Sequence, residues 1–316
     1  MSRVMIIGAM NPIGAQLMQD LLADTEVSHV LAVDHDSNLD ETALKTQDGL
    51  SYATYDLTNA TAVHGLLFGP ALDQKIDTIV HLTTSLDAYG TGETLHAKNV
   101  TLLRDLLAAA PRHPTIRRLV LRSFADVYSV SMRLPTLIRE DHPLNLSSNA
   151  PQYIRDRVEA DLTAASLIGN MDLEVAILRC AESLSPGTGS QLYDYLNTSV
   201  AFRPAGFDPM LNVATTKDLS KALHLAVHST ACGIFNIPGF DTLPLSLTIQ
   251  KWGTTGLALP ELFVKPLYKA RHRLMGSRFR YGLNRNRMHY GVVLDGKRAQ
   301  ELLGYTPSHP VGWPAT

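Results

Sequence analysis

Short apolar runs recur along the chain, each closed by turn residues. Val4–Gly8, Val30–Asp34, Thr78–Leu82, Arg118–Arg122 and Val175–Arg179 are rich in Val, Ile and Leu. Unbroken apolar runs of this length are the pattern of strands buried on both faces. Between them, apolar residues at helical spacing predict helices over Pro12–Ala23, Asn59–Phe68, Thr91–Ala110 and Gln152–Ile168. This alternation predicts an α/β fold, a doubly wound parallel (Rossmann-type) sheet with helices on both faces.

The rhythm fades after about Pro186. Pro186–Pro209 is punctuated by Gly and Pro, Lys217–His228 predicts a helix and Gly233–Ile237 a short strand. The chain has 316 residues, 45% of them hydrophobic. At roughly 100–200 residues per domain this allows one large domain or two coupled ones. The division expected is a Rossmann domain over 1–185 and a smaller C-terminal substrate lobe over 186–316. The two are interleaved, with 210–237 returning to the Rossmann sheet. Such sheets bind ligands at the carboxyl ends of the strands, where strand order reverses.

Charge adds little. The formal net charge is −2, which gives no reason to expect nucleic acid as a partner. Cys180 and Cys232 fit no metal or redox spacing and read as two buried thiols in a reducing compartment. Met1-Ser2-Arg3-Val4 runs straight into a strand with no cleavable signal pattern, and no segment reaches the ~20 apolar residues of a bilayer span. The expectation is a cytoplasmic protein without a transmembrane segment. The histidines are read as showing no metal spacing, and no metal is expected.

The strongest local chemistry is Val4-Met5-Ile6-Ile7-Gly8-Ala9-Met10-Asn11-Pro12-Ile13-Gly14. A strand ends, turns at Gly8, and a helix begins with Gly14 close to the strand. A helix N-terminus offers free N–H groups and a positive dipole end to a diphosphate. Asp34 closes the second strand 20 positions after Gly14. A carboxylate there accepts from the adenine-ribose hydroxyls and repels a 2′-phosphate; no Lys or Arg follows until Lys45. NAD is therefore the expected cofactor. Asp56, in Tyr55-Asp56-Leu57, is placed to approach the adenine amine. Asn11 stands where backbone and phosphate come closest, and adds bulk there.

These residues resemble the extended short-chain dehydrogenase/reductase family, in its NAD-dependent epimerase/dehydratase branch. The resemblance spans nearly the whole chain. It rests on Gly8 and Gly14 with Asn11, Asp56-Leu57, His81-Leu82-Thr83-Thr84, Asn99-Val100 and Leu119–Tyr128. Glu140-Asp141-His142-Pro143, Arg179, Pro186-Gly187, Leu294–Ala299 and Leu303–Pro307 complete it. It implies cofactor contacts from Gly8, Asn11, Pro12, Ile13, Gly14, Asp34, Asp56, Leu57, Leu82, Thr83 and Asn99. It also implies a nucleotide sugar or related carbonyl or alcohol compound as substrate, and a homodimer built on the Thr91–Ala110 and Gln152–Ile168 helices.

The family's catalytic pattern is only partly kept. It has a Tyr as general acid/base, a Lys four residues later and a Ser or Thr that orients the substrate oxygen. Here Tyr153 is followed by Arg157, and the Ser/Thr position, four before Tyr128, is Phe124 with Ser123 beside it. Arg keeps the positive charge but is a planar fork that does not release its proton. Tyr153, Arg157 and Ser123 are thus the catalytic candidates, and Phe124, Arg179 and Arg287 the substrate candidates. Arg179 could bind phosphate or equally form a structural ion pair, and His81 could touch the cofactor or substrate or only pack near the diphosphate. Lys265–Arg287 carries eight basic residues and no acid. It could hold a diphosphate substrate, lie on an anionic membrane, or be a solvated basic face. Two functions stay open: an NAD-dependent epimerase/dehydratase-like oxidoreductase, or an NAD-binding regulatory or structural protein without turnover.

Overall fold

The computed structural model describes residues 1–35, 48–169 and 172–314. Seven strands form the main sheet: β1 (Ser2–Ile7), β2 (Val27–Asp34), β3 (Leu50–Thr54), β4 (Thr78–His81), β5 (Arg118–Phe124), β6 (Glu174–Cys180) and β7 (Gly233–Ile237). Their order is β7-β6-β5-β4-β1-β2-β3, and every neighbour pair is parallel. Strand order reverses between β1 and β4, so the crevice at their carboxyl ends is the natural ligand site.

Alternate residues of β1 serve opposite faces. Val4 and Ile6 pack with Ile13, Leu17, Val80, Leu178 and Phe235, whereas Met5 and Ile7 pack with Leu31, Ile79, Leu103, Leu106 and Leu119. Both faces are covered, which is why the strands read as unbroken apolar runs. Each such Ile or Leu contributes about 1.5–3 kcal/mol by leaving water.

Helix α1 (Pro12–Leu22) follows β1 directly, and α2 (Gln152–Ala165) and α3 (Thr216–His228) cover the sheet further along. The helix expected over Thr91–Ala110 starts at Glu93 and widens over Ala97–Thr101 before Leu102–Ala109. That over Asn59–Phe68 is regular only over Ala60–Leu66, ahead of an irregular turn containing Pro70.

A second core gathers Leu192, Tyr195, Leu211, Leu245, Val264, Tyr268, Phe279 and Met288. The returning segment splits: α3 and β7 join the main sheet, whereas Met210–Ala214 pairs with Glu182–Ser183 and Asp241–Pro244 in a small sheet. The helix Lys297–Leu303 and Tyr305 pack back on the first core, where the Tyr305 hydroxyl donates to Pro238 O at 2.7 Å. Of the two thiols expected to be buried, Cys180 is, whereas Cys232, just ahead of β7, is left partly exposed. Among the described residues, no helix is long and apolar enough to cross a membrane.

Candidate functional site

The crevice between β1 and β4 opens into a cleft of about 790 Å³, whose lining includes Gly8, Asn11, Pro12, Asp34, Leu82 and Thr83. Gly8 has φ +86°, and a Cβ there would meet Thr83 Oγ1 at 2.8 Å. The glycine is required both by backbone conformation and by the close approach of the β4 end. A Cβ on Gly14 would meet the carbonyls of Gly8 and Ala9 at 2.7 Å, so α1 packs directly on the turn.

Asn11 changes what this corner offers. It is the N-cap of α1, with φ −71°. Its Oδ1 accepts from Ile13 N at 3.0 Å and Gly14 N at 2.9 Å, while its Nδ2 donates to Gly8 O at 2.6 Å. Pro12, the first helical residue, has no N–H. Ala15 N already donates to Asn11 O at 2.9 Å. The free donors expected for a diphosphate are therefore taken, two of them by the Asn11 amide.

Asp34 ends β2 at the cleft. One carboxylate oxygen accepts from Met10 N at 3.0 Å and the other from His35 N at 2.8 Å. Lys45, on which the preference against a 2′-phosphate partly rests, lies outside the described residues. Asp56 is turned onto its own loop, where hydrogen bonds from Thr58 lower its pKa, and it does not line the cleft. Leu57 is buried in the core. Asn99 is an anchor: its Oδ1 accepts from Ser85 N at 2.6 Å and its Nδ2 donates to Asp156 at 2.9 Å, tying the cleft loop to α2. Lys98, beside it, does line the cleft. His81 is buried at the end of β4, and burial lowers its pKa to about 4, so it is neutral.

Tyr153 and Arg157 are brought together with Phe124, one wall behind the cleft. The Arg157 guanidinium lies 3.6 Å over the Phe124 ring and 3.9 Å over the Tyr153 ring. It is also ion-paired with buried Asp126. The Tyr153 hydroxyl donates to Gly189 O at 2.8 Å, and burial pushes its pKa well above the usual phenol value. Arg122, which reaches the cleft, donates to Thr188 O at 2.9 Å. The gap bounded by Arg122, Phe124, Asp126, Cys180 and Gly189 holds about 10 Å³, at or below the ~10–15 Å³ that one water needs. Tyr153 itself is buried and lines neither this gap nor the cleft.

Ser123 is elsewhere. Its hydroxyl donates to Asp161 Oδ2 at 2.5 Å, and Asp161 also receives Arg179 through Nη2 at 2.5 Å and Nε at 3.0 Å. Arg179 is thus a buried ion-pair partner, the structural alternative left open above. Arg287 pairs with Glu182 at 2.9 Å in the small lobe. Both border a cavity of about 40 Å³.

The basic segment does not act as one surface. Arg278 and His272 line the cleft, Arg285 pairs with Glu261, and Arg280 donates to Ala88 O at 2.8 Å. The helix Glu261–Met275 carries the rest, beside exposed Leu262, Phe263, Leu274 and Met275.

The sequence reading missed two features. Asn-Pro at a helix start is an N-cap signal and was legible. His224 and His228 stand one turn apart on α3, a metal-ligand spacing, which corrects the reading that the histidines have none. Both rings meet Asp24.

No family model matches the chain. Among curated proteins, "Uncharacterized protein Rv0501" of Mycobacterium tuberculosis is 27% identical over 315 residues, covering 96% of this chain and 80% of that one. "Uncharacterized protein Mb0513" of Mycobacterium bovis matches with the same identity and coverage. Solved structures align over almost the full length. "MoeE5 in complex with UDP-glucuronic acid and NAD" aligns at 17% identity and TM-score 0.69, covering 98% of this chain and 95% of that one. The UDP-glucuronic acid 4-epimerase from Bacillus cereus, with UDP-glucuronic acid and NAD, gives 16% and 0.72 over 98% and 95%. DesIV, a dTDP-glucose 4,6-dehydratase from Streptomyces venezuelae, gives 18% and 0.70 over 99% and 94%. At these identities the likeness establishes a shared fold.

Proposed function

We propose that this chain binds NAD(H) in the β1–β4 cleft and performs no hydride chemistry through Tyr153. Gly8, Thr83 and Leu82 would form the floor for the dinucleotide, and Asp34 would take the adenine-ribose diol. The diphosphate is accommodated once the Asn11 amide swings off Ile13 N and Gly14 N. When bound, NAD would supply a hydride acceptor. The structural neighbours that carry NAD support the cofactor. One observation carries the absence of turnover: the Tyr153 hydroxyl is bonded to Gly189 O, on a side chain that is only 2% exposed. A general base needs hydrogen-bond reach to its substrate and a pKa near the working pH, and Tyr153 has neither.

A second reading is an NAD-dependent epimerase or dehydratase acting on a nucleotide sugar. It draws on the loop over Tyr153, whose Thr188 and Gly189 carbonyls are held by Arg122 and Tyr153 alone among the hydrogen bonds described. Opening that loop would join Tyr153 to the small-lobe cavity at Arg287. Chromatography of the sugar nucleotides after incubation with NAD and UDP-glucose, UDP-glucuronic acid or dTDP-glucose separates the two, because the cofactor is regenerated and only the sugar product reports turnover. The first reading expects no turnover from the parent, and turnover gained by Phe124→Ser with Arg157→Lys. Parental turnover abolished by Tyr153→Phe overturns it. A second copy of this chain would dock on Leu102–Ala109 and α2, which sedimentation of the parent checks.

A further inference from the structure

We infer that Asp24, His224 and His228 form a binding site for a zinc-class divalent transition metal, at the end of α1 remote from the cleft. α1 has 11 residues, which puts roughly 16 Å between this end and the glycine corner. α3 packs along α1 and presents His224 and His228 on one face, one helical turn apart. Asp24 follows α1 and points at both rings.

The three ligand atoms converge. Asp24 Oδ2 lies 2.8 Å from His224 Nε2 and 2.8 Å from His228 Nε2, and all three atoms lie within 4.8 Å of one another. Asp24 is prepared for the role. Its Oδ1 accepts from Glu26 N at 2.8 Å, which leaves Oδ2 for the imidazoles. That backbone hydrogen bond, with the nearby histidines, also keeps the carboxyl below its usual pKa. The side chains are 17–28% exposed, with His228 Nε2 itself covered, so the ion enters as the two rings part from Asp24.

The protonation pattern is what a metal resolves. His224 Nε2 is hydrogen-bonded to Asp24, but His228 Nε2 is not, although it is as close; the oxygen lies off its bonding direction. The other nitrogen, His228 Nδ1, faces Glu26 Oε2 at 3.5 Å. A neutral His228 has one N–H for two carboxylates. With a cation on Nε2, Nδ1–H points at Glu26, the carboxylate–histidine–metal arrangement that orients a ligand ring. Two imidazoles and one carboxylate suit zinc and its neighbours rather than calcium or magnesium. A tetrahedral site at ~2.0–2.1 Å separates ligand atoms by roughly 3.3 Å, so each of the two Asp24–histidine pairs opens by only about half an ångström. The site would staple α1 to α3.

The test uses the full chain without an affinity tag, stripped by chelator. Zinc chloride is titrated by calorimetry, and cobalt(II) is followed by its visible absorption. One equivalent per chain, a micromolar or tighter Kd, a cobalt spectrum with imidazole ligation and a raised Tm are expected. His228→Asn or Asp24→Asn removes a ligand and should weaken binding by more than the roughly tenfold that loss of an outer partner costs, whereas Cys180→Ser with Cys232→Ser should leave it intact. Absence of saturable zinc binding overturns the inference, and so does binding that survives the His228 replacement or vanishes with the cysteines. Should a variant misfold, the cobalt spectrum of the parent decides: no imidazole ligation overturns the site.

Discussion

The guanidinium of Arg157 lies 3.6 Å over the ring of Phe124, so the two residues that depart from the catalytic pattern the sequence resembles pack against each other. A Ser at 124 would leave the guanidinium without that face, and a Lys at 157 would lose the planar stack and the pairing with Asp126. The substitutions form one structural unit with Tyr153.

This unit predicts energetic coupling. In a double-mutant cycle, Phe124→Leu and Arg157→Lys should be coupled by about 1–2 kcal/mol, between the values of exposed and desolvated cation–π contacts because Lys keeps the charge. Urea melts of the four proteins check it. Additive effects would mean the stack contributes nothing.

Asn11→Gly should tighten NAD binding by about tenfold, because Ile13 N and Gly14 N are then released. It should cost only a few tenths of a kcal/mol, since Gly is a tolerated N-cap. Calorimetry and melts on the same samples read both. Unchanged affinity would show that the cap does not compete with the diphosphate.

Buried Asp161 receives Ser123 and Arg179 together. Asp161→Asn should destabilise by about 3–5 kcal/mol because it leaves a buried cation unpaired. Ser123→Ala should cost about 1 kcal/mol and leave NAD binding unchanged. A large loss of binding in Ser123→Ala would return Ser123 to the site.

His81 sets a pH dependence. Burial holds its pKa at about 4, against about 6.5 in the unfolded chain. The unfolded chain therefore takes up the proton first as pH falls. The contribution is fully present above about pH 6.5 and is lost between there and about pH 4, by at most about 3 kcal/mol. His81→Asn should flatten stability over that window in urea melts. The same slope in parent and variant contradicts the assignment.

Much of the fold was legible because parallel strands covered on both faces must be continuously apolar, as in Val4–Ile7 and Val30–Val33. The corner was legible because Gly8 and Gly14 answer local steric demands. Residues that meet across the chain were not. Phe124 and Arg157 belong to a strand end and a helix, and no local pattern announces their stack. His224 and His228 share a helix turn, but Asp24, 200 positions before His224, is supplied by tertiary packing. The sequence shows the bulk of Asn11, whereas its effect comes from the hydrogen bonds it takes.

Titration calorimetry with NAD on folded protein freed of carried-over ligand tests the central claim most directly. One site per chain is predicted, weakened by about tenfold or more in Asp34→Ala, where two ribose hydroxyls lose a charged acceptor, and unchanged in Tyr153→Phe. No heat of binding at millimolar NAD, or a loss in Tyr153→Phe as large as in Asp34→Ala, would contradict it.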